Sequence, residues 1–176
     1  MSSPKSPQPV KLIVSILTGG HDLVEKVCEK LTSRFGPIDF ISEALPFNFT
    51  DYYEKEMGKA LFRYLISFKK LISPDLLPSI KLYTNEIEEI FLREDSTRRV
   101  NIDPGYISLH HLILATCKGF SHRPYLRDGV YADMTLIFQG KTFSPLAWTF
   151  PDYGSDELIG LLNNIRTMYY KQLKKG

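Results

Sequence analysis

"VKLIVSILTGGHDLVEKVCEKLTSRFG", residues 10–36, decides the fold class. Val10 to Leu17 form a run rich in β-branched residues that Thr18-Gly19-Gly20 stops, which marks a mostly buried strand. Past the glycines the period changes. Leu23, Val24, Val27, Cys28, Leu31 and Phe35 recur at the three- and four-residue spacing of one helical face, and Gly36-Pro37 ends the run. A strand that passes directly into a helix begins a βα unit.

The pattern continues outward from that unit. "PIDFISEALPF" alternates through Ile38, Phe40 and Ala44 as a second strand. "ALFRYLISFKKLI", residues 60–72, reads as a third on its aromatic content, although Leu61, Tyr64, Leu65 and Phe68 also suit a helix. Ser73-Pro74 then opens a second helix with Leu76, Leu77, Ile80, Tyr83, Ile87 and Phe91 on one stripe, which leaves Glu86, Glu88 and Glu89 on its wet face. Asp103-Pro104-Gly105 predicts a turn, because proline presets one corner and glycine accepts positive φ at the next. A strand at about 110–117 follows. "VYADMTLIF" alternates as another strand, Gln139-Gly140-Lys141 turns it toward "TFSPLAWTF", and a last helix begins near Ser155. This order predicts an α+β fold: a largely antiparallel sheet with helices packed on one face. The leading topology is a ferredoxin-like βαββαβ core, followed by a C-terminal hairpin and helix. Residues 1–9 read as a flexible tail and 10–176 as one domain.

Composition narrows the function classes. A chain of 176 residues with 43% hydrophobic, 12% aromatic and 24% charged residues is that of an ordinary globular protein. Its net charge of +2, from 22 basic and 20 acidic residues, gives no overall field for nucleic acid or an anionic membrane surface. The basic end "YYKQLKKG" suits the negative pole of a helix dipole as well as it suits a polyanion. Cys28 and Cys117 lie far apart without C-x-x-C spacing, so neither zinc nor a disulfide framework is suggested. The N-terminal stretch lacks a signal-peptide cleavage pattern, no run approaches a membrane span, and a cytoplasmic location is expected.

Several linked motifs, "FTDYYEKEMG", "IKLYTNEIE", "VNIDPGYISLHHLILATCK", "SHRPYLRDGVYADMTLIF" and "WTFPDY", occur in that order. Together they resemble the uncharacterised prokaryotic family DUF4416 over nearly the whole chain. The resemblance implies a small domain of its own type and carries no activity, cofactor or catalytic residue with it. The chain has Pro124 and Asp133 where the family pattern leads one to expect Ile and Glu.

The residues themselves offer three constellations. Lys118, His122 and Arg123 converge on an oxyanion if Arg123 supplies its planar fork and His122 a proton; alternatively they pair with nearby acids on a wet loop. Asp51 and Glu54, with Glu56, Tyr52 and Tyr53 between or beside them, supply carboxylates for a cation or a base, or else cap a short helix with Asp51 at its N-cap. Asn101, Asp103 and Asp152 stand beside expected turns and join a site only if they meet His122. Asp133 adds a further carboxylate. Tyr106 and Tyr125 join the candidate ligand-binding set, and Tyr131, Trp148 and Tyr153 present further flat faces, with core packing the alternative for aromatic residues on strands.

His110 and His111 point to opposite faces of a regular strand and so cannot share a metal ion; the metal requirement is left open. "TGGHDL" lacks the endings of a P-loop or a dinucleotide turn, and G-x-S-x-G and H-E-x-x-H are both absent. The expectation is a domain that binds an anionic small ligand, a nucleotide or phosphorylated metabolite. His122, Asp103 and Asp133 are its candidate catalytic groups, and no cofactor is assigned. The alternative is a noncatalytic interaction or self-association module, with a homo-oligomer left open and nucleic acid disfavoured.

Overall fold

The structure, a computed structural model, describes residues 3–175. Residues 3–9 lie outside any helix or strand and are exposed; residues 1–2 of the expected tail fall outside the described residues. The chain then forms β1 (Val10–Thr18), α1 (His21–Phe35), β2 (Ile38–Ile41), β3 (Leu45–Pro46), the single turn α2 (Glu54–Met57), β4 (Phe62–Ile72) and α3 (Leu77–Ile90). A 3-10 turn at Pro74–Leu76 leads into α3. After it come β5 (Val100–Ile107), β6 (His111–Thr116), β7 (Tyr125–Arg127), β8 (Val130–Gln139), β9 (Thr142–Pro145) and α4 (Asp156–Leu173).

The nine strands make one antiparallel sheet in the order β2-β4-β1-β5-β6-β8-β7, with β3 on β4 and β9 on β8. Its first four members, with α1 and α3 as crossovers, form the split βαβ core expected from the sequence, but the closing strand is β5 and not the strand expected at about 110–117, which is β6 and adds to that core. The run at 60–72 is a strand because Leu65, Ile66 and Phe68 are buried on both of its faces, a requirement that helical spacing would not meet.

One face of the core packs Leu12, Val14 and Ile16 of β1 against Val24, Val27 and Leu31 of α1 and Ile80 and Ile87 of α3. The opposite face packs Ile13 and Leu65 against Leu158, Leu162, Ile165 and Tyr169 of α4. The expectation of helices on one face therefore holds for α1 and α3 and is corrected for α4. Alternation along β1 and β4 leaves apolar side chains on both faces, and each must be covered. Complete burial of a Leu or Ile stabilises by about 1.5–3 kcal/mol, so the α4 contacts are a substantial share of the fold's stability.

Two further expectations are corrected, and both corrections create the site. Asp103-Pro104-Gly105 is no turn; these residues continue β5 in register with Ser15, Val14 and Ile13 of β1. Ile102 turns its own N–H and C=O away from β1, toward Glu88 and Lys81, and Pro104, two residues on, faces the same way. Pro104 has no N–H for β6, so pairing between β5 and β6 stops at Gly105 opposite Leu114 and the strands part. Gly105 lets β6 come close at the last pair, since a Cβ there would lie 2.4 Å from the Ile113 carbonyl oxygen.

The second correction concerns β8. Its simple alternation is broken because Leu112 pairs Leu136 while Ile113 pairs Met134, which leaves Thr135 as an extra residue. The bulge places Asp133 and Leu136 on one face. It also frees carbonyls that the next loop binds: Trp148 Nε1 donates to the Met134 oxygen at 2.8 Å and Thr149 Oγ1 to the Thr135 oxygen at 2.5 Å.

Candidate functional site

Where β5 and β6 part, a cavity of about 820 Å³ opens. Four parts of the chain wall it. The segment between β3 and β4 brings Phe47, Phe49, Tyr52 and Tyr53; α3 brings Lys81 and Glu88 through the gap; the end of β6 brings Lys118; and the loop anchored on the β8 bulge brings Phe150, Asp152 and Tyr153.

The floor is a continuous polar network. Arg63 lies in β4 at 6% exposure, with its guanidinium 5.1 Å from the ring centres of both Phe47 and Tyr153. It donates to Asp152 at 2.6 Å and to Ser15. Lys81 donates to the Ile102 carbonyl at 2.9 Å and to Asp103 at 3.2 Å, and Asn101 Nδ2 donates to the other Asp103 oxygen at 2.7 Å. Arg98 grips Glu56 with two bonds of 2.8 and 2.6 Å and donates to Asn101 at 2.8 Å, tying the α2 turn to β5. Glu88 accepts the Ile102 N–H at 2.5 Å.

This packing sets the two floor carboxyls apart. Burial raises Glu88 above its ordinary range, and the charges of Lys81 and Arg98 only partly offset it. Burial also pushes Asp103 upward, but the positive charges of Lys81 and Arg63 and the hydrogen bonds from Lys81 and Asn101 outweigh it and hold Asp103 below. Burial likewise raises the Tyr53 phenol to about 12. Tyr52, at the exposed mouth, is lowered by the hydrogen bond and charge of Lys118.

The sequence candidates separate accordingly. Asn101, Asp103, Asp133, Asp152, Lys118 and Arg123 all line the cavity. Arg123 Nε donates to Asp133 at 2.8 Å. His122 stands behind that pair, its Nε2 3.6 Å from the same Asp133 oxygen and its ring stacked on Trp148 at 5.0 Å. Asp51 and Glu54 border a separate hollow of about 310 Å³ beside Phe47 and Leu61. The expected capping role of Asp51 is corrected: Tyr53 occupies the N-cap of α2 without a side-chain cap, and Asp51 contributes only its backbone carbonyl, to the Glu54 N–H. Tyr106 packs beside His111 and Tyr125 lies on the exposed edge strand against Tyr131; neither reaches the cavity.

Arg63, Lys81, Glu88 and Arg98 are the site residues that the sequence reading passed over. A signal was present for three of them. Arg63 interrupts an apolar strand, and Lys81 and Glu88 share a helical stripe with the buried Leu77 and Thr84. Glu88 is accordingly corrected from the wet face to 9% exposure.

Among the described residues no group of three His, Cys, Asp or Glu side chains is placed to hold a metal ion, and no helix is long and apolar enough to cross a membrane. The model of a domain of unknown function, DUF4416, matches residues 8–169. The chain belongs to this family. Curated proteins and solved structures yield no match. In this DUF4416 chain the motif "VNIDPGY" thus supplies the splayed strand and two cavity side chains, Asn101 and Asp103, while "WTFPDY" supplies Phe150, Asp152 and Tyr153.

Proposed function

We propose that the cavity between β5 and β6 binds an anionic small molecule with a flat apolar part, a nucleotide or a phosphorylated metabolite. The observation that carries this reading is the pairing of aromatic walls with a cation at the mouth that has no carboxylate partner. Of the cavity's cations, Arg63, Lys81, Arg98 and Arg123 each hold a carboxylate. Lys118, among the described residues, holds only the Tyr52 hydroxyl, at 2.8 Å, with its ammonium 4.9 Å from the ring centre. An anion arriving there meets a charge that is free to turn toward it. Phe47, Phe49 and Phe150 give the remainder of the ligand apolar surface in a concave site.

Where binding leads to chemistry, proton transfer falls to Asp103, ionised and open to the cavity. A second relay runs through Asp133, with His122 behind it. The test is a melting-temperature screen against nucleotides and phosphorylated metabolites. The expected result is a shift of a few degrees that Lys118→Ala abolishes and the surface control Lys174→Ala retains. No shift across the panel overturns the reading.

A second reading, a noncatalytic interaction module, has its own observation. Phe120 at 68% and Trp148 at 41% exposure flank His122 and form an exposed apolar surface. Sedimentation tests it: a self-association that Phe120→Asp dissolves favours this reading, and a monomer at all concentrations removes its self-association form.

A further inference from the structure

We infer that the ligand enters in one direction, its anionic group at Lys118 and, at the floor, an edge bearing two adjacent hydrogen-bond donors that the Asp103 carboxylate accepts. The inference rests on the ligand-binding reading above and adds the class of molecule. The interior cations Arg63, Lys81, Arg98 and Arg123 each already hold a carboxylate, so the interior offers no unpaired cation for a phosphate. An anion on the floor would lie against Asp103 and Asp152, whereas at the mouth it meets Lys118.

The floor offers the opposite chemistry. Asp103's side chain is 30% exposed, against 9% for Asp133 and 8% for Asp152. Its Oδ1 accepts from Lys81 and its Oδ2 from Asn101. A carboxylate has about four lone-pair sites, so each oxygen keeps acceptor capacity beyond the bond it already makes. The charges of Lys81 and Arg63 keep it ionised, and hence a pure acceptor. The complement is a pair of donors on one edge of a compact group. Two sources supply it: adjacent N–H groups of a heterocycle, or the vicinal hydroxyls of a sugar. With aromatic walls between floor and mouth, the whole ligand is a phosphate joined to a ring that ends in such an edge.

Titration calorimetry with four compounds tests this and separates the sources. Guanosine monophosphate carries both donor pairs, its dideoxy form only the N–H pair, ribose phosphate only the diol, and inorganic phosphate neither. The expected result is at least tenfold tighter binding of one donor-bearing class than of phosphate. Asp103→Asn removes that advantage, so that within the variant the donor-bearing compounds bind no tighter than phosphate. If Asp103→Asn fails to fold, the comparison among the four compounds on the native chain still decides. Equal affinity with and without the donor pair, or an advantage that survives Asp103→Asn, overturns the orientation while leaving the ligand-binding reading intact. Absence of binding by all four, together with a silent metabolite screen, overturns both.

Discussion

At the residue scale, the cavity floor holds its charges by opposing means, and pH exposes them. Asp103 is held below its ordinary value of 3.8, so its stabilising contribution is complete above that pH and is lost as pH falls through the lower folded-state value. Glu88 is raised above 4.5, so its contribution is complete below 4.5 and disappears as pH climbs through the higher folded-state value. At neutral pH the two substitutions therefore act in opposite directions. Asp103→Asn is expected to lower stability by about 2 kcal/mol, because Lys81 loses a charged acceptor. Glu88→Gln, which keeps an oxygen for the Ile102 N–H, is expected to leave stability unchanged or raise it. Urea unfolding at pH 7 checks both signs; at pH 4 the effect of Glu88→Gln is expected to shrink while that of Asp103→Asn persists, and a Glu88→Gln variant that is weaker at pH 7 contradicts the assignment. Asp152→Asn leaves the buried Arg63 guanidinium without its carboxylate and is expected to cost roughly 3–5 kcal/mol by the same measurement. Arg63, Lys81 and Glu88 were hard to read from sequence because each stands where periodicity asks for an apolar side chain. Only the surrounding network makes their burial tolerable.

At the scale of elements, the decisive feature is a sheet that parts in its middle. Pro104 ends the β5–β6 ladder and Gly105 permits the last close pair, so one dipeptide both joins the strands and separates them. Gly105→Ala is expected to destabilise by about 1–3 kcal/mol, since the new Cβ meets the Ile113 backbone oxygen and not a side chain that can swing away. An unchanged urea midpoint would show that β6 is not seated where described. The same dipeptide shows why sequence reading failed here. Pro-Gly has one local preference, a turn, and tertiary pairing with β1 overrode it. The β1-α1-β2 unit and the β4-α3 pair were legible because long apolar runs and helical stripes are set by burial on known faces, whereas β5 was hidden behind its own turn signal. The Thr135 bulge was not legible, since it follows from pairing with Leu112 and Ile113 and leaves no periodic trace in "VYADMTLIF".

At the scale of the whole molecule, four segments distant in the chain meet at one end of the sheet. The 47–53 segment is held by Arg98 on Glu56 and by Lys118 on Tyr52, and the 148–153 loop by the carbonyls of the β8 bulge. Six of the eleven residues singled out from sequence line the cavity and His122 stands directly behind it, because antiparallel pairing puts the start of β5, the end of β6, the start of β8 and the end of β9 at the same end of the sheet. Asp51, Glu54, Tyr106 and Tyr125 lie apart because sequence proximity to a turn does not set the direction of a side chain. In the proposed reading, this cavity is where the protein meets its ligand. Amide chemical-shift mapping of the labelled chain during titration with the compound giving the largest melting shift tests it most directly. Binding in the cavity predicts perturbations concentrated at residues 47–53, 100–103, 114–118 and 150–153. Perturbations confined to the outer face of α4 or to the β2 edge, with those four segments silent, would contradict it.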